Sequence, residues 1–368
     1  MRHHSNFLVA VLLTCLTTGP LSSGQRLPPW RYTVIDLGTL QGNSYSEGLG
    51  INILGHVVGC SGEPGYSCDD SSFQSTDGFV WTKRKGMKPI KPLPGGTIAY
   101  ADAINDSEWI AGSSSGTAFQ AQLHAAIWTD DGRVLDLGTL DKACYGTCNS
   151  YAHAISDNGL VAGGSDLPAR DVFHAFLWAE DSGMIDLGSG KFDSSSATAV
   201  NLRSGVAGWL STLATGTHAF LWTPHEGLRD LGTLKGATSS WSLAFGINDF
   251  NEVVGQSAYA GGDFHYFHAF LWTKAKGMQD LGALGKGPDS SEALAVNDNG
   301  RIVGWSGSHA FIWSHDEGMR DLNDFIEPKS GWVLNSANGI NILGQITGSG
   351  TINGQTHAFL LTLRHQGH

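Results

Sequence analysis

Residues Ser291 to Leu322 read SEALAVNDNGRIVGWSGSHAFIWSHDEGMRDL, four short apolar segments separated by turn residues. Ala293 and Ala295 stand two apart ahead of Val296-Asn297. Small residues with period two mark a strand and not a helix. Asp298-Asn299-Gly300 makes a tight turn, because glycine accepts positive φ without a steric penalty. A second strand follows through Gly304, a third at His309-Ala-Phe-Ile-Trp313, and a fourth at Gly318-Met-Arg-Asp-Leu322. We name them a, b, c and d.

The same unit recurs along the chain. The c word stands intact at His174–Trp178, His218–Trp222 and His268–Trp272. Near copies are His124-Ala-Ala-Ile-Trp128 and His357-Ala-Phe-Leu-Leu361, with a worn copy at Asp77–Trp81. Successive markers lie 41 to 50 residues apart. That period suits the four-stranded blade of a propeller. The a strand ends on Asn52, Asn105, Asn201, Asn248, Asn297 or Asn341, with Ser156 in the third copy. Seven residues later every copy has a glycine, from Gly59 to Gly348. In five copies the a–b turn carries Gly55, Gly159, Asn251, Gly300 or Gly344. In the first copy Pro89-Ile90 replaces Asp-Leu, which a strand d at the sheet edge tolerates.

The a–b and c–d connections have fixed length, whereas b–c and d–a vary. Alternate loops of an up-and-down sheet leave on the same side, so one face is expected to be trim and the other long-looped. The first element, Tyr32-Thr-Val-Ile-Asp-Leu-Gly38, is a d strand with no a, b or c before it. The last, His357–Leu363, is a c strand with no d after it. Pairing them leaves no open sheet edge at the termini and closes the ring. The expectation is an all-β, seven-bladed β-propeller of four-stranded antiparallel blades, closed by the N-terminal outer strand, over residues 32–363.

Around it we expect a secretory signal at 1–24, a linker at 25–31 and a tail at 364–368. Phe7 to Leu16 is a mostly apolar run of about ten residues, too short to span a bilayer, and Ser22 and Gly24 suit a cleavage site. The expected location is secreted, periplasmic or at the cell surface. In an oxidising compartment Cys60, Cys68, Cys144 and Cys148 read as two local disulfides, Cys60–Cys68 and Cys144–Cys148. Their spacings lack the tight knuckles that zinc prefers. The net charge of −12 and the absence of a basic stripe argue against nucleic acid.

The words His-Ala-Phe-Leu-Trp, Asp-Leu-Gly-Thr-Leu and Ile-Asn-x-x-Gly-x-Val-Val-Gly resemble the HAF-repeat family of bacterial extracellular proteins, from Tyr32 to Leu361. The resemblance implies export and a repeat fold, and carries over no catalytic residue.

Each marker histidine recurs at one place per copy, so the six are expected to hydrogen-bond a backbone group or a repeated Ser or Asn and not to meet at one ion. The marker tryptophans are expected to pack between blades. Function is therefore sought among residues that do not repeat. Trp209 and Trp305 follow the repeated glycine where strand b runs toward the long-looped face. Trp241 and Trp332 sit in d–a loops. Tyr66, Tyr100, Tyr145, Tyr259, Tyr266, Asp166, Asp171, Asp263, His265, Asp289 and Glu292 fall in or beside variable loops. From this set Trp209, Trp305, Trp241, Trp332, His265, Tyr266 and Asp263 are the ligand-binding candidates. Aromatics with nearby carboxylates suit a sugar ring or a peptide. No GxSxG, HExxH or phosphate-cradling loop is present. We therefore expect a monomeric binding or scaffold propeller for a carbohydrate or protein, with no cofactor. The alternative is a glycan-cleaving hydrolase or lyase using funnel carboxylates. A calcium site at Asp69-Asp70 is a further alternative.

Overall fold

The computed structural model describes residues 32–364 except 64–67, 69–75, 117–121, 143–147, 168–171, 213–215, 261–265 and 286–288. The expected signal, linker and last four residues lie outside the described residues.

The chain is a β-propeller. β1 is Tyr32–Gly38. β2 to β5 are Tyr45–Ile51, Val57–Gly62, Thr76–Thr82 and Gly86–Pro89, and β6 to β9 are Ala99–Ile104, Ile110–Ser114, His124–Trp128 and Val134–Gly138. β10 to β13 are Ser150–Ile155, Val161–Asp166, Phe173–Ala179 and Gly183–Gly188, and β14 to β17 are Ser194–Val200, Val206–Thr212, Gly216–Thr223 and Gly227–Gly232. β18 to β21 are Ser242–Ile247, Val253–Ala258, Phe267–Thr273 and Gly277–Asp280, and β22 to β25 are Ser291–Val296, Ile302–Ser306, His309–Ser314 and Gly318–Asp321. β26 to β28 are Trp332–Ile340, Ile346–Ile352 and Gln355–Leu363. A 3-10 turn, Leu322–Phe325, follows β25.

Five sheets are four-stranded and ordered a-b-c-d. The sixth has eight strands, in which β1 lies on β28 beside β27 and β26, and a single parallel bridge, Tyr45 to Thr356, joins β2–β5 to them. β1 runs antiparallel to β28 with Tyr32 opposite Leu363, Val34 opposite Leu361 and Asp36 opposite Phe359. The two ends of the chain thus share one sheet, as the sequence predicts. Pro89 closes β5 at a sheet edge, where its missing N–H leaves no ladder bond broken.

Strand a bends at one place in every copy. The register shifts between Ala197 and Ala199, between Ala293 and Ala295, and at the same point elsewhere. One extra residue is inserted there, a β-bulge. The bulge brings the strand a carbonyl across the repeated glycine of strand b. A Cβ on Gly208 would strike the Ser196 carbonyl oxygen, and one on Gly304 that of Glu292. Glycine recurs there because the backbones approach too closely for any side chain.

The core lies between sheets. Each of seven apolar clusters joins consecutive copies, and one joins the last copy to the first through Leu360, Phe79 and Trp81. The marker phenylalanines Phe79, Phe176, Phe220, Phe270, Phe311 and Phe359 are fully buried. Trp81, Trp128, Trp178 and Trp272 are buried beside them, as expected, while Trp222 and Trp313 are half-buried. Burying one such aromatic is worth about 2–3 kcal/mol.

Candidate binding site around the axis

The repeated polar residues hold the sheets together. All six marker histidines place Nδ1 within 2.6–2.9 Å of a strand d aspartate. The pairs are His124–Asp136, His174–Asp186, His218–Asp230, His268–Asp280, His309–Asp321 and His357–Asp36. This corrects the expected partner, a backbone group or a Ser or Asn. The c–d register sets His and Asp side by side across the bulge, and the carboxylate is the stronger acceptor. His218 also reaches a serine, with Nε2 2.6 Å from Ser240 Oγ. Burial alone raises the Asp280 carboxyl. The His268 contact and the Gly282 amide outweigh that and hold it below the usual range.

A repeated serine staples neighbouring copies. Ser195 Oγ donates to the Gly188 carbonyl at 2.6 Å and accepts from the Ala175 amide at 2.9 Å. Ser46 does the same across the chain ends, to Gly38 and from Ala358. The repeated asparagine acts twice. Asn201 Oδ1 accepts the Arg203 and Gly205 amides of its own turn, and Nδ2 donates to the Asn248 carbonyl of the next copy. Asn52 reaches Asn105, Asn248 reaches Asn297, Asn297 reaches Asn341, and Asn341 returns to Asn52. Ser156 is too short to cross, and Asn158 Nδ2 instead donates to the Leu202 carbonyl.

With these groups engaged, the varied chemistry lies on the inner strands. The a strands touch one another in a cycle, β2 to β6, β10, β14, β18, β22, β26 and back to β2. Their half-exposed side chains therefore face the enclosed axis. At the long-looped end one layer carries the half-buried Glu47, Tyr100, Tyr151, Leu243 and Glu292, with the buried Ser196 at the same level. Trp209 stands opposite Ser196 and Trp305 opposite Glu292. Directly opposed residues share a sheet face. One step deeper, at the bulge, come Asp102, His153, Thr198, Phe245, Leu294 and Asn338.

These residues join across copies. His153 Nδ1 lies 3.5 Å from Asp102 Oδ2, and the His153 ring stacks with Tyr151 at 6.3 Å. Glu47 accepts from Tyr45 at 2.6 Å and from Asn338 at 2.7 Å. Burial first, then Asp77, Tyr151 and Asp102, pushes the Tyr100 phenol up to about 12. Burial, helped by Asp166, raises Tyr151 as well. Both phenols stay protonated at neutral pH and can donate.

Trp209, Trp305, Tyr100 and Glu292 thus share a layer. Trp241 packs instead on Phe267, with centroids 4.2 Å apart, and Trp332 meets Phe359 edge-on at 6.2 Å. Tyr266 is half-buried just before β20. Asp263 and His265 lie outside the described residues, as do Tyr66, Tyr145, Asp171 and the Asp69-Asp70 pair. Tyr151, Asp102, His153 and Glu47 escaped the sequence reading. Their signal was present: each fills a varying slot between the fixed small residues of strand a.

At the opposite end the residue after the repeated Asn or Ser rims the axis. Asp106, Asp157, Asp249 and Asp298 stand there, and each accepts an amide from the preceding copy, those of Ile53, Asp106, Leu202 and Asp249 respectively. Burial raises the Asp157 carboxyl, the Asp106 amide opposes this, and the other three carboxylates add to the rise. Among the described residues no group of three or more His, Cys, Asp or Glu side chains is placed to hold a metal ion. Cys60 and Cys68 form a disulfide. Cys148 is disulfide-bonded too, while Cys144 lies outside the described residues.

No known family model and no curated protein matches the chain. Among solved structures it is similar to virginiamycin B lyase from Staphylococcus aureus, at 8% identity and TM-score 0.52, over 90% of this chain and 100% of that one. It is also similar to the extracellular domain of a one component system from B. thetaiotaomicron, at 9% identity and TM-score 0.51, over 92% of this chain and 40% of that one. A manganese complex of oligogalacturonate lyase aligns at 10% identity and TM-score 0.47, over 79% of this chain and 83% of that one. At such identities the likeness is one of fold. Among the described residues no helix is long and apolar enough to cross a membrane.

Proposed function

We propose that this chain is an exported, non-catalytic binding propeller of the HAF-repeat kind, and that it seats a carbohydrate at the axial mouth on its long-looped face. We read the eight-stranded sheet as two blades joined by one bridge, which makes seven blades. The observation that carries the function is the layer holding Tyr100, Tyr151, Trp209, Trp305, Glu47 and Glu292 at positions the repeat leaves free. Aromatic faces take the apolar side of a sugar ring, and carboxylates with neutral phenols take its hydroxyls. The disulfide Cys60–Cys68 supports export. Titration calorimetry with neutral oligosaccharides tests the reading. Binding that weakens at least about tenfold in Tyr151→Ala and in Glu292→Gln is expected, since one good stacking or charged contact is worth about 1.4 kcal/mol or more. Loss of neither, or binding of a protein partner alone, overturns the carbohydrate assignment.

A second reading rests on Asp102 and His153, 3.5 Å apart between two tyrosines. A carboxylate–imidazole pair can shuttle protons in glycan cleavage. Product release from polysaccharide that stops in Asp102→Asn would favour it over simple binding.

A further inference from the structure

The face opposite the long loops carries chemistry that carbohydrate binding does not use. Five of the eight exposed large apolar side chains of the described residues sit on a–b turns there: Leu54, Leu202, Phe250, Ile342 and Leu343. Phe250 is 62% exposed, Leu54 57% and Leu343 55%. The fold does not ask for them. The position of Leu54, Phe250 and Leu343 is Ser107, Asn158, Arg203 and Asn299 in other copies, with the same turn, and the Arg203 guanidinium lies 6.0 Å from the Phe250 ring. The five apolar tips form two groups, Leu54 with Ile342 and Leu343, and Leu202 with Phe250, and exposed apolar groups gathered on one face mark surfaces that meet something else.

These tips surround an axial cavity of about 380 Å³ whose wall is the Ile or Val preceding each repeated Asn or Ser. Its rim is divided. Copies two and three give Asp106 and Asp157, and copies five and six give Asp249 and Asp298. Between these acidic arcs stand Leu202 on one side, and Ile53 with Ile342 on the other. Among the described residues no Lys or Arg lines the cavity.

We propose that this turn face is a second docking surface, for a protein segment that is basic at its centre and apolar on its flanks. Basic side chains enter between the two acidic arcs, and apolar side chains settle on the exposed tips. The carboxylates select sign and speed the encounter, while the tips supply the desolvated contact. Burial first, and then the Asp106, Asp249 and Asp298 carboxylates, raise the Asp157 carboxyl, and a cation among the four relieves the second of these. An acidic partner is excluded by the same repulsion.

The test uses the whole disulfide-bonded chain and a synthetic Lys/Leu amphipathic peptide, against the same peptide with Glu in place of Lys. Calorimetry at low and physiological salt should show binding of the Lys peptide alone, weakened by salt. The double variants Leu54→Ser/Phe250→Ser and Asp249→Asn/Asp298→Asn should each lose at least about tenfold in affinity. Both alter exposed or rim side chains, and asparagine keeps the accepting oxygen, so unchanged melting curves are expected. Tyr151→Ala, on the other face, should leave peptide binding intact, which separates this proposal from the carbohydrate site. Equal binding of both peptides, indifference to both double variants, or binding of spermine or calcium as tight as the peptide overturns it. So does self-association abolished by Phe250→Ser, which would make a second copy the occupant.

Discussion

Asn201 shows how one side chain links a turn to a wheel. Its side chain is buried, its oxygen fixes the local hairpin and its amide crosses to Asn248 of the next copy. Replacing it with alanine strips partners from two backbone amides and a carbonyl. Asn201→Ala is expected to lower stability by about 1–3 kcal/mol, read as a shifted urea midpoint with an unchanged slope. The His268–Asp280 pair is closer to solvent. Asp280 is held below its ordinary value, so its folded form binds a proton less readily than the unfolded chain. Its contribution is complete above the unfolded aspartate value of about 3.9 and is lost as pH falls through the folded value. His268→Ala should therefore cost roughly 0.5–1.5 kcal/mol at neutral pH through the lost carboxylate contact, a part that vanishes in acid, while the loss of the Tyr259 stack remains at every pH, as followed by melting curves from pH 7 to pH 2.

The hairpin is the element that repeats with least change, and its turn is stricter than its sequence. Gly55, Gly159, Gly300 and Gly344 adopt positive φ, and so does Asn251 at 58°. In the remaining copies Glu108 and Ser204 are forced into the same conformation, each at 61°. The sequence pattern had left those two turns without a suitable residue. A side chain with a Cβ costs about 1–2 kcal/mol in the left-handed region, part of which glycine gives back as unfolded-state entropy. Ser204→Gly is expected to raise stability by about 0.5–1 kcal/mol, measured by chemical denaturation. The opposite change at Gly208 meets a carbonyl and has no such relief.

Across the whole molecule, the bonds that run from copy to copy return to their start. Asn341 reaches Asn52, Ser46 reaches Gly38 and Ala358, and His357 reaches Asp36. Tyr32 stands opposite Leu363, where the other copies have a short c–d turn. Linking those ends with a turn and opening the chain between Gly236 and Ala237, in a d–a loop, should give a permutant with the parent's circular dichroism spectrum and one cooperative transition. Opening it inside the Asn201–Gly205 turn should lower the melting temperature markedly, because the copy-to-copy bonds of that turn are cut. A rod-like stack would tolerate neither the linkage nor its closure.

Strand order, the hairpins, the sharing of one sheet by both chain ends and the burial of the marker aromatics are legible in the amino-acid order. They follow from local periodicity and from words repeated at fixed spacing, such as Ala293, Asn297, Gly304 and His309 within one copy. What those residues touch is set by the packing of the sheets. That each His meets an Asp, that Asn158 replaces the reach Ser156 lacks, and that Asp102, His153 and Glu47 face a common axis depend on side chains brought together from different copies. Spacing along a chain fixes direction and register within a sheet. It carries no record of the angle at which successive sheets converge, and that angle assembles the site.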